Sequence, residues 1–170
     1  MSAKARNAQE AVIRRATVTD AAVLHAKVLA LADVLGELHK ATVTFDDLLR
    51  DGFGETPAYR GLIAEVGPET AGICLFHPYY ASWRGRRGIY VTDLYVEPQW
   101  QRSGVGRRLL MAAAAAGREL GCTGLSLSTE RSNERARAFY AVLGFEAAED
   151  DVMYYLPGSS FNVLANNGDS

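Results

Sequence analysis

Residues 89–110 read IYVTDLYVEPQWQRSGVGRRLL, and this stretch decides the fold. The largely apolar run from Ile89 to Val96 predicts a strand, and Pro98 ends it. The glycine-rich turn Gln101 to Gly106 then runs straight into an amphipathic helix. Val105, Leu109, Ala113, Ala116 and Leu120 recur at steps of three and four and mark its buried face, with Gly121 as its expected stop. Glycines let the backbone turn its N–H groups inward. The unpaired donors of the helix start, at the positive end of the helix dipole, suit a diphosphate. Arg102, Arg107 and Arg108 add charge. The same residues also serve a tight strand-to-helix turn with solvated arginines, and the pattern alone leaves both readings open. Two common phosphate signatures are excluded: the dinucleotide fingerprint needs a third glycine where Leu109 stands, and GxxxxGK[ST] occurs nowhere.

Upstream of this stretch, Val12-Ile13-Arg14 predicts a short first strand. Thr17 with Asp20 has the form of a capping box opening a helix over 21–35, and Thr44 with Asp47 opens a short one ending near Gly52. Runs at 59–66, 71–80 and 89–96, separated by Gly67-Pro68 and by Gly85 to Gly88, predict an antiparallel meander. Downstream, Leu125 and Leu127 alternate with Ser126 and Ser128 as a strand. Asn133 caps a helix whose inner face is Ala136, Phe139, Tyr140 and Leu143, stopping at Gly144. A last strand is expected over 152–156. The sum is an α/β domain over 11–156, a central mixed sheet of six or seven strands flanked by about four helices, with flexible tails at 1–10 and 157–170.

Composition excludes several classes. The chain has 170 residues, the size of one domain, and 18 Lys+Arg against 20 Asp+Glu give a formal charge of −2. That leaves no basic surplus for a phosphate backbone or an anionic membrane, so neither nucleic acid nor membrane is an expected partner. The longest apolar run, Leu109 to Ala116, is far short of the roughly 20 residues that span a bilayer. No apolar segment follows the charged N-terminus, so a cytoplasmic location is expected. Cys74 and Cys122 stand far apart with no ligand-spaced Cys or His, which signals neither a disulfide framework nor a metal site. Both are expected as buried small apolar residues.

The Gln/Arg-x-x-Gly-x-Gly pattern after an apolar strand resembles the acetyl-CoA motif of the GNAT superfamily of N-acetyltransferases. Asn133, Phe139-Tyr140 and Leu143-Gly144-Phe145 resemble its second motif, and the likeness covers about residues 12–156. FDDLLRDGFGETPAY (45–59), Trp83-Arg84-Gly85 and 90–96 are similar to the diamine (polyamine) and thialysine acetyltransferase branch. The resemblance implies a sheet splayed between the fourth and fifth strands with acetyl-CoA as cosubstrate. Its pantetheine arm would lie along Leu94, Tyr95 and Val96, its pyrophosphate on Gln101, Arg102, Ser103, Gly104, Val105, Gly106 and Arg107, and its far arm near Asn133. Tyr140 would sit beside the sulfur and protonate the departing thiolate, whose thiol has a pKa of about 8.5. A homodimer is implied by analogy, with Phe161, Val163 and Leu164 available for packing on a neighbour.

Asp93 is an acid on an otherwise apolar strand, so a cationic partner is expected: either Arg14 or another arginine, or the ammonium of a substrate. The resemblance breaks where polyamine enzymes of this branch usually carry carboxylates, since this chain has Thr92 and Ala81 there. The run Glu149-Asp150-Asp151-Val152-Met153 has acids but no tryptophan. These departures argue against a long polycation as acceptor. Asp33 and Glu37 either compensate or form a solvated face, and Trp83 either walls the substrate site or packs on Tyr79 or Tyr80. His77 is expected to be structural. Arg84, Arg86 and Arg87 form a basic turn, solvated or set to meet an anionic group such as a carboxylate. The function expected is direct acetyl transfer to a primary amine of a small molecule, a diamine, polyamine-like or thialysine/amino-acid-like compound, with a water chain to Asp93 or Glu97 removing the amine proton. Acetylation of a protein or peptide amine, and an idle acyl-CoA-binding module, are the alternatives.

Overall fold

The structure, a computed structural model, describes residues 11–148 and 152–166. It divides into two compact units at Glu130/Arg131. The first unit is built on a five-stranded sheet: β1 Val12–Arg15, β2 Arg60–Val66, β3 Glu69–Ala81, β4 Arg86–Val96 and β5 Cys122–Leu127. The strands lie in the order β1-β2-β3-β4-β5, antiparallel up to β4 and parallel between β4 and β5. Parallel neighbours need a crossover, and α3 (Val105–Glu119) supplies it. The first unit also holds α1 (Ala21–Val34) and α2 (Phe45–Phe53). Both expected capping boxes form, Thr17 with Asp20 and Thr44 with Asp47.

Cross-strand partners share a face of a sheet. One face carries Ile63, Ile73, Leu75 and Tyr95, which bury against Leu24 of α1 and Leu48 of α2. The opposite face takes α3. A methyl group at Gly72 would meet Leu109, and one at Gly117 would meet Ile89, so both glycines are close-approach positions between helix and sheet. Cys74 and Cys122 are buried free thiols, and burial pushes the Cys74 thiol up to about 12.

The ladder between β4 and β5 runs from Arg87↔Cys122 to Val91↔Leu127. Beyond Val91, β4 continues to Val96 paired with β3 alone, with a bulge that sets Thr92 and Asp93 against Leu75. This is the splay expected between the fourth and fifth strands. At its other end β4 begins earlier than expected, at Arg86. The reversal from β3 needs only the 82–84 turn and Gly85, whose φ of 58° is the left-handed conformation that glycine adopts freely.

The second unit holds α4 (Glu134–Val142), capped by Asn133 as expected, and α5 (Gly158–Asn166). Two expectations are corrected here. The described residues form five strands, not six or seven, because 152–156 is not a strand. Its Val-Met-Tyr-Tyr-Leu run has β propensity, but propensity without a paired edge does not make a strand. Residues 158–166, expected as tail, are helical, with the Phe161 N–H bonded to the Pro157 carbonyl at 2.8 Å. Residues 1–10, 149–151 and 167–170, which include the expected N-terminal tail and the acids Glu149 to Asp151, lie outside the described residues. Among the described residues no helix is long and apolar enough to cross a membrane.

Candidate active site

Main-chain direction along β4 follows from a single bond. The Glu97 N–H donates to the Ala71 carbonyl at 2.9 Å. By the two-residue alternation of an antiparallel ladder, Tyr95 then exchanges its bonds with Ile73, while the main-chain groups of Leu94 and Val96 face the open side. The expectation for Leu94 and Val96 therefore fits the geometry. Tyr95 does not: its main chain pairs inward and its ring is in the core, so it is not brought to the open edge. The Val96 carbonyl is also taken in part, accepting from Gln101 Nε2 at 3.0 Å. That bond pins the turn to the end of the strand.

In the turn, Arg102 (φ 59°) and Gly104 (φ 94°) both adopt the left-handed conformation. For an arginine this is strained, and it costs about 1–2 kcal/mol. Ser103 Oγ donates to the Trp100 carbonyl. Gly104 is the N-cap of α3 and offers no side chain to cap it. The first intrahelical bond runs from the Arg108 N–H to the Gly104 carbonyl at 3.0 Å, so the N–H groups of Val105, Gly106 and Arg107 are the unmatched donors of the first turn. A Cβ built on Gly104 meets nothing within 4 Å, leaving the backbone open to approach. Immediately before the turn, the indole N–H of Trp100 is buried and finds no acceptor among the described residues. An open strand edge followed by an uncapped, glycine-faced helix start fits a long thioester cosubstrate with a diphosphate in its middle.

Asp93 lies on the face that carries Leu75, partly buried at the start of this open edge. Burial raises its carboxyl above the usual carboxylate range, opposed by a hydrogen bond from the Thr92 side chain. The single Thr92 hydroxyl proton is shared with the Leu75 carbonyl, 3.3 Å from Oγ1. Among the described residues no arginine pairs with Asp93. Arg14 is consumed by Asp20 and Glu65, each at 2.7 Å, and holds the Asp20 carboxyl down to about 2. Glu97 pairs with Lys27 on α1, Glu37 with Lys40, and Asp47 and Asp51 with Arg50. Among the described carboxylates that are not fully exposed, Asp93 alone has no ion pair within 4 Å.

Other expected residues are placed differently. Trp83 is fully exposed at the tip of the β3–β4 hairpin and packs on neither tyrosine. Glu37 follows α1, and its charge is met by Lys40, which holds its carboxyl low. In the second unit, Asn133 Oδ1 accepts from the Ala136 N–H at 3.1 Å, a cap that leaves the amide nitrogen outside it. The Tyr140 ring meets those of Phe139 (centroids 5.4 Å) and Phe145 (5.5 Å) at tilted angles of 53° and 57°.

Sequence reasoning missed the Lys27–Glu97 pair and two hydroxyl bridges between strands, Tyr79 to Ser126 (2.9 Å) and Tyr90 to Ser128 (2.7 Å). The alternation of serines in β5 was the available signal for the bridges. Nothing local signals a pair 70 residues apart.

A strand opened toward an uncapped glycine turn, with a carboxylate beside it that has no ion pair among the described residues, is an arrangement compatible with acyl transfer on an α/β sheet. Residues 31–145 match the profile of the acetyltransferase (GNAT) family, and the chain belongs to that family. It is an N-acetyltransferase. The thialysine N-epsilon-acetyltransferase of Bos taurus is 34% identical over 129 residues, 69% of this chain and 75% of the relative. That of Mus musculus is 29% identical over 164 residues, 90% and 96% respectively. Among solved structures, an integron cassette protein from the mobile metagenome of V. cholerae superposes with a TM-score of 0.75 at 19% identity, covering 91% of this chain and 97% of that one. This last likeness speaks to the fold alone.

Proposed function

We propose that the protein transfers the acetyl group of acetyl-CoA directly to a primary amine of a small molecule, a diamine or a thialysine-like amino acid. The single observation that carries this reading is Asp93. A partly buried carboxylate without a cation is costly to ionise, and a substrate ammonium is the partner it lacks. The named function of the Bos taurus and Mus musculus relatives supports the same class of acceptor.

Acetyl-CoA supplies the activated acetyl group as a thioester. Leu94 and Val96 hold its pantetheine arm through the main chain, and the N–H groups from Arg102 to Arg107 hold the diphosphate. Asp93 orients the incoming ammonium and accepts its proton through water. A carboxylate of raised pKa is better suited to that task than Glu97, whose charge is committed to Lys27. Tyr140 donates a proton to the departing thiolate, and Asn133 contacts the far arm. The reading also takes the enzyme as a cytoplasmic homodimer, which exposed Phe161, Val163 and Leu164 on α5 support; sedimentation equilibrium measures the mass.

The test is release of free CoA thiol with a panel of diamines, thialysine, lysine, amino-alkyl antibiotics and a lysine peptide. Turnover of the small amines above the peptide is expected. Turnover of the peptide alone, or of nothing, overturns the proposal.

A further inference from the structure

The last rung between β4 and β5 pairs Val91 with Leu127, and beyond it the two strands part. Tyr90 and Ser126 form the rung before, so by the alternation of a strand Ser128 returns to the face that carries Tyr90. That face is also the one of Asp93, because Leu75 opposes Asp93 and His77, two residues on, opposes Tyr90. Ser128 stands one step past Leu127, across the opening from Thr92. Its Oγ accepts from the Tyr90 hydroxyl at 2.7 Å, a bond that spans the two strands where they separate. The Tyr90 ring rests against that of His77, 5.7 Å between centroids, and a second bridge, Tyr79 to Ser126 at 2.9 Å, lies behind it. Since the Tyr90 proton is spent on Ser128, the Ser128 proton is left over, and it meets no acceptor among the described residues. A hydroxyl whose oxygen already accepts a hydrogen bond is the stronger donor. The mouth of the splay thus carries a polarised O–H on the face of Asp93.

We infer that Ser128, backed by Tyr90, is the hydrogen-bond donor to the carbonyl oxygen of the thioester. The inference rests on acetyl-CoA lying along Leu94 and Val96 as proposed above. With the diphosphate at the glycine turn, the pantetheine arm passes Val96 and then Leu94 and so runs toward the point where β4 and β5 meet. Its sulfur lies three bonds past the last amide nitrogen of the arm, roughly 4 Å in extended chain, or about one residue step of strand. An arm whose last amide pairs at Leu94 therefore delivers the thioester beside Asp93 and Thr92, facing Ser128. The nearer hydroxyl, that of Thr92, has its single proton shared between Asp93 and the Leu75 carbonyl. The main-chain groups of Leu94 and Val96 are committed to the arm, which leaves the Ser128 O–H as the side-chain donor at the opening. When the amine lone pair forms the C–N bond, the carbonyl π pair moves onto oxygen, and Ser128 meets that charge without giving up its proton. The pair returns as the C–S bond breaks and the thiolate departs to be protonated.

The first measurement needs no amine. Infrared difference spectra of acetyl-CoA carrying carbon-13 at the acetyl carbonyl, bound to the full chain without an acceptor, report hydrogen bonding to that oxygen. The carbonyl band should lie lower in the wild type than in Ser128→Ala and should move back down in Ser128→Thr, which keeps the hydroxyl. In the second measurement, turnover of the best amine of the panel, Ser128→Ala should lower kcat about 10²-fold, the loss typical of one such donor, with the acetyl-CoA Kd from calorimetry unchanged. Tyr90→Phe should lower kcat by less, and the double variant should fall no further than Ser128→Ala alone, because Tyr90 acts through Ser128. A carbonyl band at the same position in the wild type and Ser128→Ala overturns the inference whether or not any amine is turned over, as does a kcat unmoved by Ser128→Ala. A shifted band with no turnover of any amine supports Ser128 and overturns the small-amine reading instead. Failure of the wild type to bind acetyl-CoA overturns both.

Discussion

Replacing Asp93 with Asn separates a substrate-facing carboxylate from a structural one, because the two roles move stability in opposite directions. Asp93 is partly buried, burial raises its carboxyl above the ordinary range, and among the described residues no cation pairs with it within 4 Å. Ionising it therefore costs the folded chain free energy that the unfolded chain does not spend. For a raised carboxyl this cost is fully present at neutral pH and fades as pH falls through the folded pKa toward the unfolded value near 4. Asn keeps the shape and hydrogen-bonding capacity without the charge. Asp93→Asn is accordingly expected to melt at or above the wild-type temperature at pH 7, with the difference shrinking on acidification. Catalysis should suffer. Removing one member of a desolvated charge pair costs about 2 kcal/mol or more, equivalent to roughly 30-fold in affinity. The expected result is a rise of that size in KM for a cationic amine, with KM for acetyl-CoA moving less than about 3-fold, too little for loss of such a pair. Thermal melts across pH and steady-state kinetics with each substrate varied measure both. A variant that melts lower at pH 7, or whose two KM values rise together, would refute the assignment.

Gly104→Val places a branched side chain in the empty space above the turn and forces it to φ 94°; about 1–2 kcal/mol of stability should be lost, and calorimetry should show acetyl-CoA affinity falling in the folded variant. Tyr140→Phe keeps the ring against Phe139 and Phe145, and in the folded variant kcat should drop on the order of 10²-fold with acetyl-CoA affinity nearly unchanged. That drop should shrink for a thioester with a more acidic thiol. Asp20, held down to about 2 by Arg14, contributes about 2 kcal/mol that is present above pH 4 and lost as pH falls toward 2. Asp20→Asn should therefore lower the melting temperature at pH 7 and leave it unchanged near pH 2.

The fold was legible wherever local chemistry and tertiary partners agree. Both capping boxes, the Asn133 cap, and the left-handed glycines 121 and 144 that stop α3 and α4 are local signals and appear where the sequence puts them. The meander was legible because turns separate its strands. The last strand was not, since residues 152–156 carry β propensity but a strand is a relation between two segments and sequence shows only one of them. The helix at 158–166 was hidden for a related reason. Gly, Ser and Asn are weak helix formers and signal a tail by composition, while Phe161 and Leu164, three apart, are too few apolar positions to mark a helical face on their own.

The candidate site divides along the same line. The glycine turn is written in contiguous residues and could be read. What distinguishes Asp93 from the chain's other acids could not, because it depends on where the cations go. Arg14 lies six residues from Asp20 but 51 residues from Glu65, and Lys27 is 70 residues from Glu97. Only the folded sheet shows that these pairings absorb Arg14 and Lys27 and leave Asp93 without either. On the proposed mechanism, the same accounting favours Asp93 over Glu97 as the proton acceptor. Glu97 and Asp93 are equivalent in sequence, two acids flanking Leu94 to Val96. In the fold, one is neutralised by a lysine and the other is kept under-solvated. An amine must lose a proton before it attacks, and the proposed mechanism gives that proton to Asp93, whose carboxyl burial raises, while Glu97 is paired with Lys27.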